Sequence, residues 1–170
     1  MCTAICPCTP SSARFSASTP QARAWGVDAL NRALEGVKGE IAVHICFGYA
    51  AIIHARPSGY DFLPEFTGCG CHMISLETAQ SNLDCSILTQ LKGKKIMLGV
   101  IDLSDPGVET PEIVAARIER ALPYIDPKDV VVAPDCGMKY LPRETAFAKL
   151  QAMVAGAKLV RAKYERPVAR

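Results

Sequence analysis

His44 and Cys46 lie two residues apart in the apolar run IAVHICF (41–47), and each carries an atom able to bind a metal ion. In an extended strand, residues i and i+2 project from the same face, so the imidazole and the thiol would point the same way. Glu77 closes a second extended run, HMISLE (72–77), and Cys136 stands near the end of another, DVVVAPDCG (129–137). One imidazole nitrogen, two thiolates and a carboxylate oxygen make an acceptable zinc set, and the sulfurs disfavour magnesium or calcium. Such a site is formally anionic. A substrate thiol could join it as thiolate, by displacing a ligand or expanding the shell, and be held as a nucleophile at neutral pH. Taken singly, each residue has a plainer reading: a strand histidine satisfied in the core, a buried cysteine as a small hydrophobe, Glu77 as a turn cap.

Other chemistry-bearing residues are scattered. Cys69, Cys71 and His72 in GCGCH have chelating spacing, but the glycines and the loop setting favour an incidental cluster. Cys2, Cys6 and Cys8 could chelate a metal, yet three thiols on a tail usually do nothing specific. Cys85 in LDCSIL reads as a core residue, and His54 with Arg56 as a solvated loop pair that could touch an anion. Lys139 and Arg143 flank the start of the last helix, where a carboxylate substrate or plain solvent would suit them equally.

The elements that must position these groups follow from hydrophobic spacing. Trp25, Leu30, Ala33, Leu34 and Val37 recur at helical intervals, and Gly36 and Gly39 close that segment. Strands follow at 41–47, 72–77, 95–102 and 129–137, apolar enough to be covered on both faces. Between the first two lies a loose stretch with a short helix expected around DFLPEF, and residues 82–91 read as a short helix or turn. Thr110 is an N-cap with Pro111 in the first turn, and Ile113, Val114, Ile118, Ala121 and Leu122 supply a buried stripe that Pro123 ends. A last helix over 142–163 would bury Phe147, Leu150, Val154 and Ala157. The order, a helix and then four strand–helix units, predicts an α/β chain with a parallel sheet and right-handed crossovers: a small open sheet, or half of a (β/α)8 barrel. Functional groups of such folds sit at the carboxyl ends of the strands, which is where His44, Cys46, Glu77 and Cys136 fall.

Bulk properties narrow the class. A chain of 170 residues, 49% hydrophobic and 21% charged, supports one globular domain. The net charge of +2, with both signs interspersed, asks for neither nucleic acid nor an anionic membrane. No apolar run approaches the ~18 residues that span a bilayer, and the eight cysteines come without a convincing signal peptide, so a reducing cytoplasm is expected. Residues 1–20 form a Ser-, Thr-, Pro- and Cys-rich zone expected to be unstructured, with a transit peptide as the alternative, and 21–170 form the folded part.

VHICFG, ISLETAQS, LGVIDLSD and VVAPDCGMKYLPRETAFAKLQAMVAGAKLVR, in this order, resemble the C-terminal catalytic region of cobalamin-independent methionine synthases, closest to the short single-barrel relatives. The resemblance covers roughly residues 23–163, with the PDCG block its most specific part. It implies zinc held by His44, Cys46, Glu77 and Cys136 in the C-terminal half of a TIM-type barrel. The implied reaction moves a methyl group from a methylated folate or corrinoid onto homocysteine sulfur, giving methionine. An Asp-Glu-Pro motif that the family carries just upstream is absent, and the chain reads as the second half of a barrel with a foreign N-terminus. Longer members also carry a His where LSD has Ser104, while Asp102 could orient a polar substrate group or cap its loop. Two alternatives stay open: a catalytically silent zinc-binding fragment, and a corrinoid-dependent thiol methyltransferase with another acceptor. Open strand edges on both sides would invite a homodimer.

Overall fold

In the computed structural model, residues 3–5, 20–48, 59–60 and 62–164 are described. The sheet is parallel throughout, in sequential order from β1 (Thr3–Ile5) through β2 (Ala42–Ile45), β3 (Met73–Glu77) and β4 (Lys95–Ile101) to β5 (Val130–Pro134). The helices are α1 (Pro20–Leu34), α2 (Pro111–Ala121) and α3 (Arg143–Tyr164). This is the α/β architecture that the alternation of elements predicts. β3 is buried at all five positions and β4 at most of its length, as expected of central parallel strands. Their side chains meet Leu30, Leu34, Leu63, Leu88, Val114 and Ile118 in one core.

Several expectations need correction. The segment 1–20 was expected to be unstructured, but Thr3–Ile5 pairs in register with Val43–Ile45, so β2 is not an edge strand. Short as it is, this strand satisfies backbone groups that β2 would otherwise leave open. The connections from β2 to β3 and from β3 to β4 carry no α-helix among the described residues, only 3-10 turns at Leu63–Gly68 and Cys85–Gln90. Trp25 and Val37, two positions of the helical periodicity, are exposed, and so is Ile113, expected in the buried stripe of α2.

The largest revision concerns α3. Phe147, Leu150 and Val154 face outward, Phe147 at 62% exposure, while Ala157 alone of the expected face packs against the core. The buried face carries Lys149, Ala152, Gly156 and Val160. The reason is the close crossing with α2: a Cβ on Gly156 would stand 2.6 Å from both Pro111 O and Val114 Cβ. Only glycine fits there without a shift of its neighbours. Lys149 enters the interior because Glu109 meets it, Nζ to Oε2 at 2.9 Å, with Asp102 O accepting a second bond at 3.0 Å. Arg117 donates to Glu109 Oε1 at 3.0 Å, so the carboxylate is shared by two cations. α2 begins as its sequence predicts, with Thr110 Oγ1 accepting the Ile113 N–H at 3.3 Å.

Candidate metal centre

The parallel ladder aligns His44 with Ser75 and Ile45 with Leu76, which places the ends of β2 and β3 side by side. His44 Nδ1 lies 2.8 Å from Ser75 Oγ, while its Nε2 is buried with no hydrogen-bond partner among the described residues. With Nδ1 as the protonated nitrogen, Ser75 orients the ring and Nε2 keeps a lone pair for a metal. Just beyond the ladder, buried Tyr60 bridges the two strands: its hydroxyl donates to Ile45 O at 3.2 Å and accepts the Glu77 N–H at 3.0 Å. Phe47 stacks on the Tyr60 ring with centroids 4.3 Å apart. Glu77, at the end of β3, is 1% exposed.

Cys136 follows β5 and meets Cys46, with the two sulfurs 3.4 Å apart; the Gly48 N–H donates to Cys46 Sγ at 3.1 Å. One ligand atom from each of His44, Cys46, Glu77 and Cys136 lies within 4.8 Å of the others. Among the described residues this is the one such group of His, Cys, Asp and Glu able to hold an ion. A tetrahedral zinc with thiolates at about 2.3 Å holds them about 3.8 Å apart, so the sulfur spacing needs little adjustment. The orphaned imidazole nitrogen, the paired sulfurs and the buried carboxylate fit a thiophilic divalent cation.

Electrostatics divide the two cysteines. The hydrogen bond to Cys136 pushes the Cys46 thiol up, and burial and the Glu77 charge push the same way. Cys136 is drawn down to about 4 by the Cys46 hydrogen bond and, against burial, by His44 and the Gly137 N–H.

Asp102 is not in this group. Its Oδ1 accepts from Ser104 N at 2.8 Å and Ser104 Oγ at 2.6 Å, which is the loop-capping arrangement. Cys69 and Cys71 are buried core residues near the amino end of β3, where Lys94 Nζ donates to both of their carbonyls, at 2.5 and 2.9 Å. Burial and Cys69 raise the Cys71 thiol to about 12, and His72 Nδ1 is occupied by the Ile41 N–H at 3.0 Å. Cys85 is buried in the core, and the described cysteines carry no disulfide. Lys139 lies over the exposed Tyr140 ring, 4.9 Å from its centroid, and Arg143 opens α3 in solvent. Cys2, Cys6, Cys8, His54 and Arg56 fall outside the described residues.

Ser75, Tyr60 and Asp135 were missed in the sequence. Asp135 is fully buried beside Cys136, and its two oxygens accept the N–H groups of Thr78, Ala79 and Gln80. Burial pushes its carboxyl up to about 7, with those three N–H groups pulling it back. Its place directly before a candidate ligand was the signal available.

Residues 14–159 match the family described as cobalamin-independent synthase, catalytic domain. Methionine synthase of Thermococcus kodakarensis is 36% identical over 137 residues, spanning 79% of this chain and 38% of that protein. Methionine synthase of Saccharolobus solfataricus is 36% identical over 145 residues, spanning 84% of this chain and 41% of that protein. The structure of a B12-independent methionine synthase from Shewanella sp. W3-18-1, in complex with selenomethionine, superposes with a TM-score of 0.78 at 33% identity. That superposition covers 85% of this chain and 45% of the other. This chain thus spans less than half the length of these relatives.

Proposed function

Because this chain belongs to the cobalamin-independent methionine synthase family, we propose that it takes part in zinc-dependent methyl transfer to the thiol of homocysteine, giving methionine. The observation that carries this reading is the convergence of His44, Cys46, Glu77 and Cys136, with His44 Nε2 buried and unpartnered. These four residues would hold the zinc. Bound there, it supplies Lewis-acid stabilisation of a substrate thiolate at neutral pH. Ser75 holds the His44 ring so that Nε2 faces inward, and Tyr60 fixes the backbone at Ile45 and Glu77. Glu77 is buried and supplies an anionic oxygen; Cys136 supplies sulfur already biased to the thiolate. The methyl donor would be a methylated folate or corrinoid, and a reducing compartment such as the cytoplasm would keep the thiols free.

Asp102, half-buried at the end of β4, would orient a polar substrate group if the Ser104 contacts release it. A second reading is a zinc-binding domain without turnover of its own. X-ray absorption on the zinc-loaded chain separates the two. Homocysteine at millimolar concentration should add a zinc–sulfur distance near ~2.3 Å. An unchanged spectrum would sink substrate binding by this chain and leave the silent domain.

A further inference from the structure

The zinc ligands Glu77 and Cys136 sit at strand ends, where the regular ladder no longer fixes the chain. Between them stands Asp135. Its Oδ1 accepts the N–H of Thr78 at 3.2 Å and of Ala79 at 3.1 Å, and its Oδ2 accepts the N–H of Gln80 at 2.7 Å. The residue before Cys136 therefore grips the loop that leaves Glu77, reaching across β4 to do so. β4 makes room through Gly99, where a Cβ would stand 2.3 Å from Asp135 Oδ1 and 2.7 Å from Leu76 O. Thr78 Oγ1 donates to Gly99 O at 2.6 Å, tying the same loop to β4. From the outer side Arg120 donates to Thr78 O at 2.7 Å and to the Asn82 side chain.

A buried carboxylate a short step from buried Glu77 is a costly choice if filling space were the only need. Three loop N–H groups converging on the two oxygens of one side chain instead make a rigid bracket. We propose that Asp135 is a positioning residue of the metal centre, whose clamp on the 78–80 loop holds Glu77 and Cys136 in the geometry needed to share one ion. The proposal rests on the zinc reading above. It requires no contact between Asp135 and the metal.

Asp135→Asn keeps the side-chain shape but turns an amide NH2 toward N–H donors. Its zinc affinity, measured by competition with a chromogenic chelator, should fall about 10–100-fold, as for other groups that orient metal ligands. The visible absorption of the cobalt-substituted protein should change with it, which a purely structural loss would not cause in the folded fraction. Cys136→Ser is measured in parallel. If Cys136→Ser loses zinc while Asp135→Asn matches the unaltered protein in affinity and cobalt spectrum, Asp135 is not a positioning residue although the metal site stands. If Cys136→Ser binds zinc as tightly as the unaltered chain, the metal reading itself fails. Should Asp135→Asn not fold, amide exchange in the metal-free unaltered protein decides. Ala79 and Gln80 N–H should be protected despite lying in a loop, and free exchange there overturns the clamp.

Discussion

Cys136 is where the single-residue argument is sharpest, because its sulfur belongs to a thiol pair and to the proposed metal shell at once. Replacing it with serine should remove most of the zinc from protein purified with about one ion per chain, as measured by metal analysis. The Cys69→Ser/Cys71→Ser double variant should keep its zinc, since those sulfurs lie in the core near the other end of β3. The reverse pattern would mean that the wrong cysteines have been chosen. Glu109 tests a different chemistry. Burial raises its carboxyl, but hydrogen bonds from Lys149, the Asp102 N–H and Arg117 outweigh that, and its pKa is lowered. A lowered folded-state pKa means the stabilisation is present above the unfolded value of about 4.3 and fades as pH falls through the folded value. Glu109→Gln strands the buried Lys149 ammonium and should cost about 3–5 kcal/mol at pH 7. Below pH ~4 the denaturation midpoints of variant and parent should draw together; a gap independent of pH would show that the charge contributes nothing.

At the scale of elements, the α2–α3 crossing decides how the last helix sits. Gly156 lies against Pro111 O and Val114, so the two helices approach more closely than side chains larger than glycine allow. Gly156→Ala gains up to about 1 kcal/mol of helix propensity but forces a contact that should cost about 1–3 kcal/mol. A net loss of stability is expected in urea unfolding, with the midpoint lowered and the slope unchanged. A higher midpoint would place the crossing elsewhere. The same packing fixes the loop after β4, because Lys149 on α3 and Arg117 on α2 both reach Glu109, which in turn receives the Asp102 N–H at 2.8 Å.

For the molecule as a whole, the far side of α3 is an exposed apolar feature. Phe147, Leu150 and Val154 form a stripe in solvent, and the outer edge of β5 has no strand partner among the described residues. An apolar stripe and an unpaired strand edge are both surfaces that tend to associate. Light scattering should therefore report a mass that grows with protein concentration. Phe147→Glu/Val154→Lys should return it toward that of one chain. A parent chain that stays monodisperse as a monomer would end this idea.

Sequence alone determined the parallel α/β order and the Thr110 cap, because each depends on local periodicity or local capping chemistry; His44, Cys46, Glu77 and Cys136 stood out only as residue types near strand ends, joined into one set by the family resemblance and brought together in space by the fold. Spacing could not reveal that Asp135, Ser75 and Tyr60 support that set, since their partners lie 57, 31 and 15 to 17 positions away in the chain. The buried face of α3 was likewise decided only in three dimensions. Periodicity pointed to one stripe, rich in the large apolar residues Phe147, Leu150 and Val154, whereas the structure buries a second one built on Lys149, Ala152, Gly156 and Val160. The second faces inward because α2 passes too near for the first, and because Glu109, far away in sequence, supplies the counter-charge that lets a lysine be buried.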